Sequence, residues 1–132
     1  MTLGPALYEV LYVSTLAPHQ PINTVAEIAA KARHNNAQLD ITGLLIFDGQ
    51  RFCHQLEGTK KAVLKLTERI RDDPRHVHME VVHHGVLAER RFRQFSLAFS
   101  TVEDEDALAR LEQLDGQAAL VAFEAVRKGL MV

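Results

Sequence analysis

The chain has 132 residues, of which 47% are hydrophobic and 24% are charged, and its formal net charge is −2. This length suits one domain with a single hydrophobic core. The balance of 15 basic against 17 acidic residues excludes a protein that binds nucleic acid mainly by electrostatics, because such binding needs a basic surface that displaces counterions from phosphates.

The single cysteine, Cys53, excludes an intrachain disulfide framework and a zinc site built from thiolates alone. It is compatible with a reducing cytosol, and we therefore predict a cytoplasmic protein. No apolar run approaches the roughly 20 residues that a membrane span needs, and the N-terminus lacks the layout of a signal peptide. We accordingly expect no membrane association.

The first half of the chain predicts a strand, a helix and a hairpin. Residues 7–14 are rich in β-branched and aromatic side chains, which favours a strand that is apolar on both faces. Thr24 and Glu27 have the spacing of a capping box, and we expect the helix that they begin to end at Asn35 and Asn36. Residues 41–47 and 51–57 predict two strands joined by an Asp-Gly turn, which accepts positive φ angles.

The second half predicts an amphipathic helix that begins after residues 58–59 and ends at 73–74, followed by strands at 79–86 and 95–99. The resulting order β-α-β-β-α-β-β predicts an α+β, ferredoxin-like sheet with two helices on one face, in a domain of residues 1–100. Residues 101–132 predict two C-terminal helices packed on the same domain. The last helix has a wide apolar arc, which either covers the open sheet face or forms a dimer or partner surface.

Six short motifs follow one another at the ends and on the faces of these elements. They are Tyr12-Val13-Ser14, Asn35-Asn36, Ile41-Thr42-Gly43-Leu44-Leu45, Leu56-Glu57-Gly58, Asp73-Pro74-Arg75-His76 and Arg90-Arg91-Phe92. In this order and on these elements they resemble the BLUF family, the blue-light sensors that use FAD, over residues 7–100.

The resemblance implies a flavin cofactor, FAD or alternatively FMN, whose ring lies between the two helices. Ile28 and Ile70 would contact the two faces of the ring. Asn35 and Asn36 would belong to the cofactor site, with Asn36 hydrogen-bonded to the polar edge of the ring.

The resemblance also implies a phosphate contact and a photochemical residue. Arg75 and His76 would approach the phosphate or sugar portion of the flavin, since arginine suits bidentate phosphate contact. Tyr12 would donate an electron to the excited flavin, because a buried phenol beside the ring can lose an electron and then a proton.

The sequence departs from the family pattern where the photochemistry takes place. Counted back from Leu56-Glu57-Gly58, the position of the family's switching glutamine holds His54, whereas Gln55 should point to the opposite sheet face unless the strand is bulged. A neutral imidazole offers one donor and one acceptor, so His54 can bridge a phenol and a flavin. In the last strand, Phe95 and Leu97 replace the family's tryptophan and methionine.

We therefore predict a flavin-binding photoreceptor domain, not itself an enzyme, with Tyr12 and His54 as its photochemical residues. No residues remain for an effector enzyme, so we expect output by contact with a separate protein through the last strand and the C-terminal helices, and a homo-oligomer. The alternative is a degenerate member of the family that has lost its photocycle, or its flavin, and serves as an interaction module.

Three other classes fit the sequence less well. The histidines, including His76 and His78, lack accompanying Asp, Glu or Cys at ligand spacing, so we predict no metal site. An acyl-phosphate hydrolase would need glycine and arginine in a loop after the first strand, and residues 15–19 contain neither. An RNA-recognition sheet would expose aromatic residues on its central strands, which here are aliphatic.

Overall fold

In the computed structural model, residues 6–93 and 95–130 are described, and they form one mixed sheet and four helices. The strands are β1 (Leu7–Leu16), β2 (Thr42–Phe47), β3 (Arg51–Thr59), β4 (His76–Leu87) and β5 (Ala98–Thr101). The helices are α1 (Asn23–Gln38), α2 (Lys60–Arg71), α3 (Glu105–Glu112) and α4 (Gly116–Lys128). The limits of the predicted domains at residues 1 and 132 lie outside the described residues.

The strand order across the sheet is β4-β1-β3-β2-β5. Strand β1 runs antiparallel to β3 and β4, while β2 runs antiparallel to β3 and parallel to β5. The predicted α+β, ferredoxin-like sheet is confirmed. Most residues of β1, β2 and β3 are buried, as expected of central strands that are covered on both faces.

Helices cover both faces of the sheet, and the alternation of side chains along each strand divides the core accordingly. Beneath α1 and α2 lie Tyr8, Val10, Tyr12, Leu45, Phe47, Phe52 and Leu56, packed against Val25, Ala29, Val63 and Leu66. On the opposite face, α3 and α4 bury Leu108, Leu111, Ala119 and Phe123 against Leu11, Val13, Leu44, Ile46 and Cys53. The two C-terminal helices thus share one core with the sheet.

Strands β2 and β3 approach each other unusually closely at Gly43. A Cβ at this position would overlap the main-chain carbonyl oxygen of Gln55. Only glycine therefore allows the pairing that sets Gly43 opposite Leu56 and Leu45 opposite His54.

Both predicted ends of α1 are wrong. The helix begins at Asn23 without a side-chain cap, because the hydroxyl of Thr24 donates to Gln20 Oε1 instead. It continues through Asn35 and Asn36 to Gln38, since the Asn36 side chain makes a tertiary hydrogen bond to Ser96 and does not cap the helix. The positive φ expected of an asparagine there falls on Asp40, at 54°.

The last strand lies further along the chain than predicted. Strand β5 covers Ala98–Thr101, whereas the prediction was 95–99. Phe95 lies before it and is 43% exposed, so it does not occupy the core. Leu97, at 3% exposed, does fill the core, where it packs with Leu45 and Phe47.

Candidate functional site

A cavity lies between α1 and α2, above the sheet face that carries Tyr12 and His54. It contains about 550 Å³ of space, including the part open to solvent. All eight residues predicted for the site line it: Tyr12, Ile28, Asn35, Asn36, His54, Ile70, Arg75 and His76. The residues predicted from the sequence thus come from two helices, three strands and a loop, and they meet at one place.

The two isoleucines occupy opposite helices. Ile28 lies on α1 and Ile70 lies on α2, each half-buried, with Leu45, Phe52 and Leu66 adding apolar surface. Their aliphatic side chains give the cavity apolar walls on both of its helical sides. Such walls suit a flat, largely apolar ring system better than a highly solvated ligand.

Tyr12 and His54 face each other across the paired strands β1 and β3. They are direct partners in the antiparallel register, which runs without a shift along the whole pair, and both side chains are buried. The Tyr12 hydroxyl lies 2.9 Å from His54 Nδ1, and the rings meet edge to face with centroids 5.3 Å apart.

Burial keeps both groups neutral. It raises the pKa of the Tyr12 phenol far above its usual value, and it lowers the pKa of His54 to about 3, with a smaller contribution from His76. At neutral pH the pair is thus a protonated phenol beside an uncharged imidazole. His54 Nε2 is buried and finds no hydrogen-bond partner among the described residues.

Among the residues that line the cavity, Asn36 has the second buried polar atom of this kind. Its Nδ2 donates to the Ser96 carbonyl oxygen at 2.7 Å, which fixes the amide orientation. Its Oδ1 is buried and has no partner within the described part of the chain. Buried polar atoms are nearly always hydrogen-bonded in native proteins, so Asn36 Oδ1 and His54 Nε2 fit a ligand with polar atoms of its own. Asn35 lines the same wall, half-buried.

The charged end of the cavity differs in detail from the prediction. Arg75 pairs with Asp73, with Nε 3.0 Å from Oδ1 and Nη2 2.6 Å from Oδ2, and this pairing holds the pKa of the Asp73 carboxyl below its usual value. A phosphate at Arg75 would therefore share the guanidinium with Asp73. His76 Nε2 contacts the Ile70 carbonyl oxygen.

The sequence reasoning missed six lining residues, of which two, Lys31 and Asp73, are charged. Lys31 follows Ile28 by three residues on α1, and that spacing on a helix places both side chains on one face. Asp73 opened the matched motif before Arg75 but was considered only as a helix end. Their signals were thus present in the sequence, as helical spacing and as motif membership.

Gln55 lies on the other sheet face, as predicted from the alternation of side chains. Its Nε2 donates to Glu9 at 3.2 Å and to Glu57 at 2.9 Å, away from the cavity. Because the β1–β3 register contains no bulge, His54 is the residue of β3 that reaches the cavity beside Tyr12.

Within residues 6–93 and 95–130, no three His, Cys, Asp or Glu side chains group as a metal site would require. No helix in that part of the chain has the length and apolar character needed to cross a membrane.

The sheet and the cavity between its helices define a small α+β domain with a candidate ligand site, and comparison with known proteins gives the family. The model of the family described as BLUF, sensors of blue-light using FAD, matches residues 7–98, which is more than half of the chain. The chain belongs to the BLUF family.

Two curated relatives are the blue light- and temperature-regulated antirepressor BluF of Escherichia coli and the photoactivated adenylate cyclase subunit beta of Euglena gracilis. The first is 31% identical over 86 residues, covering 65% of this chain and 21% of that protein. The second is 40% identical over 80 residues, covering 60% of this chain and 9% of that protein. The chain thus spans about a fifth of the first protein's length and about a tenth of the second's.

Solved structures agree with the family and the fold. The dark-state structure of BlrB, a BLUF protein, has a TM-score of 0.71 and 28% identity, and the match covers 86% of each chain. The photo-activated state of BlsA has a TM-score of 0.77 over 89% of this chain, and at 22% identity it supports the fold alone.

Proposed function

We propose that this chain binds FAD, or alternatively FMN, in the cavity between α1 and α2 and responds to blue light through Tyr12 and His54. The observation that carries the proposal is the pair of buried, unpartnered atoms, Asn36 Oδ1 and His54 Nε2, in a cavity with apolar helical walls. Ile28 and Ile70 would hold the faces of the ring, and the two polar atoms would bind its edge.

A bound flavin supplies blue-light absorption and an excited state that accepts an electron. The protein supplies a buried phenol and an uncharged imidazole in direct contact, 2.9 Å apart. If the Tyr12 hydroxyl donates to Nδ1, the hydrogen of the neutral imidazole lies on Nε2, which then serves as a donor within the cavity. Tyr12 can release its proton to His54 Nδ1, while Nε2 keeps or releases its own hydrogen. His54 would thus perform the bridging role of a glutamine amide.

The remaining residues orient the ligand and exclude water. Asn36 is held by Ser96, so its Oδ1 is presented in a fixed direction and accepts a hydrogen bond. Lys31 and Arg75 supply positive charge for a phosphate, with Asp73 aligning the guanidinium.

We further propose that the domain is not itself catalytic and that it signals to a separate protein, as a homo-oligomer, through β5, α3 and α4. In support, one relative is named as a light-regulated antirepressor and another as a photoactivated cyclase, and the match in each is confined to a small part of the protein. On this proposal, the domain transmits a light signal to another protein.

His54 also favours a second candidate, a flavin-binding interaction module without a light switch. An imidazole is shorter and more rigid than a glutamine amide, and it cannot rotate a carbonyl and an amino group past each other. On this alternative the cavity binds flavin but light leaves its hydrogen bonds unchanged.

One experiment separates these candidates. The purified full chain is mixed with FAD, FMN or riboflavin, and its absorption spectrum is recorded before and after blue light. We expect flavin binding and a light-induced red shift that Tyr12→Phe abolishes. Tyr8→Phe is the matched control, since Tyr8 lies on the same sheet face but bonds to His84, and it should retain the shift.

The outcomes differ for each candidate. A chain that stays colourless and refuses all three flavins refutes the proposal. Flavin binding with no spectral change on illumination identifies the interaction module. If His54 is the bridge, His54→Gln should retain or enlarge the red shift, and an unchanged spectrum in both His54→Gln and Tyr12→Phe removes this pair from the mechanism.

A further inference from the structure

A buried polar cluster lies on the sheet face opposite the cavity, on the same two strands. Glu9 of β1 and Glu57 of β3 are opposite each other in the register and are 2% and 0% exposed. The Gln55 amide lies between them and donates to both. Since Tyr12 and His54 occupy β1 and β3 only a few residues away, the cluster and the photochemical pair share one strand pair.

Arg91 fixes the charge of this cluster. Its Nε and Nη2 donate to the two oxygens of Glu9 at 2.9 and 3.0 Å, and His83 approaches the same carboxylate at 3.3 Å. Burial raises the pKa of the Glu9 carboxyl, but the hydrogen bonds from Arg91 and Gln55 outweigh it and leave the pKa below its usual value. A buried carboxylate without a partner is strongly unfavourable, so Arg91 stays with Glu9.

The third nitrogen of the same guanidinium reaches α4. Arg91 Nη1 donates to Glu124 Oε1 at 3.1 Å, while Glu124 Oε2 accepts from Arg127 at 3.2 Å. The Arg91–Glu124 contact can therefore open with Arg91 still bound to Glu9 and Glu124 still bound to Arg127. This contact is a joint between α4 and the loop after β4 that can break without leaving either charge unpaired.

We propose that Arg91 is a positioning residue that couples the flavin cavity to α4 through the chain His54–Gln55–Glu9–Arg91–Glu124. A change at Tyr12 and His54 displaces β3 relative to β1, the displacement moves the Gln55–Glu9 contact, and Arg91 carries it to the joint with Glu124. The inference rests on the proposed flavin site, for which it names the route of output. Coupling of this kind is reciprocal, so flavin binding should stabilise the docking of α4.

The test uses hydrogen exchange of the full chain, with and without saturating FAD, read at the amides of Gly116–Lys128. We expect FAD to slow exchange in α4 by about fivefold or more, the lower end of typical coupling between sites. Glu124→Gln should abolish most of this slowing. Slowing that persists undiminished in Glu124→Gln, or is absent in a chain that binds FAD, overturns the proposal.

Glu112→Gln is the matched control. It removes the carboxylate of α3 that pairs with Arg51 of β3, an ion pair with side chains 24% and 22% exposed, against 22% and 26% for Arg91 and Glu124. Both substitutions thus remove a carboxylate that links a C-terminal helix to an arginine outside the helices, Arg51 of β3 or Arg91 of the loop after β4, but only Glu124 belongs to the proposed route. The control should keep the FAD-induced slowing, and loss of the slowing in both variants also overturns the proposal.

A flavin-free measurement keeps this inference distinct from the flavin site itself. FAD binding is titrated separately by absorbance. If the chain binds no FAD, the proposed function is refuted, and a second measurement then decides whether the coupling exists. That measurement is the NMR signal of the His54 ring nitrogens in the flavin-free chain. We expect Glu124→Gln to shift it and Glu112→Gln not to, and an unchanged signal in Glu124→Gln overturns the coupling.

Discussion

Burial of a neutral His54 should make the stability of the domain depend on pH in a defined window. The unfolded chain binds a proton at His54 with a pKa of 6.5, whereas burial lowers the pKa in the folded chain to about 3. Between these values the unfolded state binds more protons than the folded state, so stability falls as the pH falls. The loss of stability due to His54 is absent above about pH 7 and grows as the pH falls through this window.

The magnitude follows from the two pKa values. Each pH unit below 6.5 costs about 1.4 kcal/mol of unfolding free energy until the folded pKa is reached. The loss attributable to His54 is thus about 1 kcal/mol at pH 5.5 and about 3 kcal/mol at pH 4.5. Other groups titrate over this range as well, and a comparison with His54→Gln separates their contribution from that of His54.

The assay is urea unfolding of the full chain at a series of pH values from neutral to acidic. The unfolding free energy of His54→Gln should fall less steeply than that of the unmodified chain, and the two curves should diverge below pH 6.5. His34→Gln, on the exposed side of α1, is the matched control and should follow the unmodified chain. Parallel curves for His54→Gln and the unmodified chain would show that the imidazole carries no burial cost.

Three other substitutions test the fold and the cavity. Gly43→Ala should destroy the β2–β3 pairing, because its Cβ overlaps the Gln55 carbonyl, and circular dichroism should show an unfolded or misfolded chain. Phe123→Ala removes a fully buried ring of α4 from the core, and the unfolding free energy measured in urea should fall by about 3–5 kcal/mol. Arg75→Gln should weaken binding of FAD more than binding of riboflavin in absorbance titrations, and equal losses for both would remove Arg75 from the phosphate site.

Sequence patterns predicted the architecture because local signals agreed with the final packing. The alternation in residues 7–14 separated Tyr8, Val10 and Tyr12 from Leu11 and Val13, and the structure places these two sets in different cores. The ends of α1 were mispredicted for the opposite reason. There a distant partner, the Ser96 carbonyl, occupies the Asn36 side chain that the local pattern assigned to a cap.

The same contrast separates the parts of the site that the sequence could and could not predict. Five of the eight cavity residues, Tyr12, Asn35, Asn36, Arg75 and His76, belong to the matched motifs, and they meet because each motif lies on or next to an element whose place is fixed by the topology. The pairing of Arg75 with Asp73 was not predicted, since it depends on the conformation of the loop after α2.

In β3, a histidine occupies the family's glutamine position, 54, and a glutamine follows at 55. The polar cluster behind the cavity shows that this arrangement has two consequences. The alternation of side chains predicts that Gln55 leaves the cavity face, but it cannot show that the displaced amide bridges two buried carboxylates. Those carboxylates come from strands that are adjacent only in the folded sheet, and Arg91 joins them from a loop that follows β4. His54, which lies beside Tyr12, is thus the neighbour in β3 of Gln55, which donates to the Glu9 carboxylate that Arg91 binds. A variant that exchanges the two, His54→Gln with Gln55→His, should therefore disturb the α4 side as well as the cavity, because an imidazole cannot donate to both Glu9 and Glu57 with the geometry of one amide nitrogen.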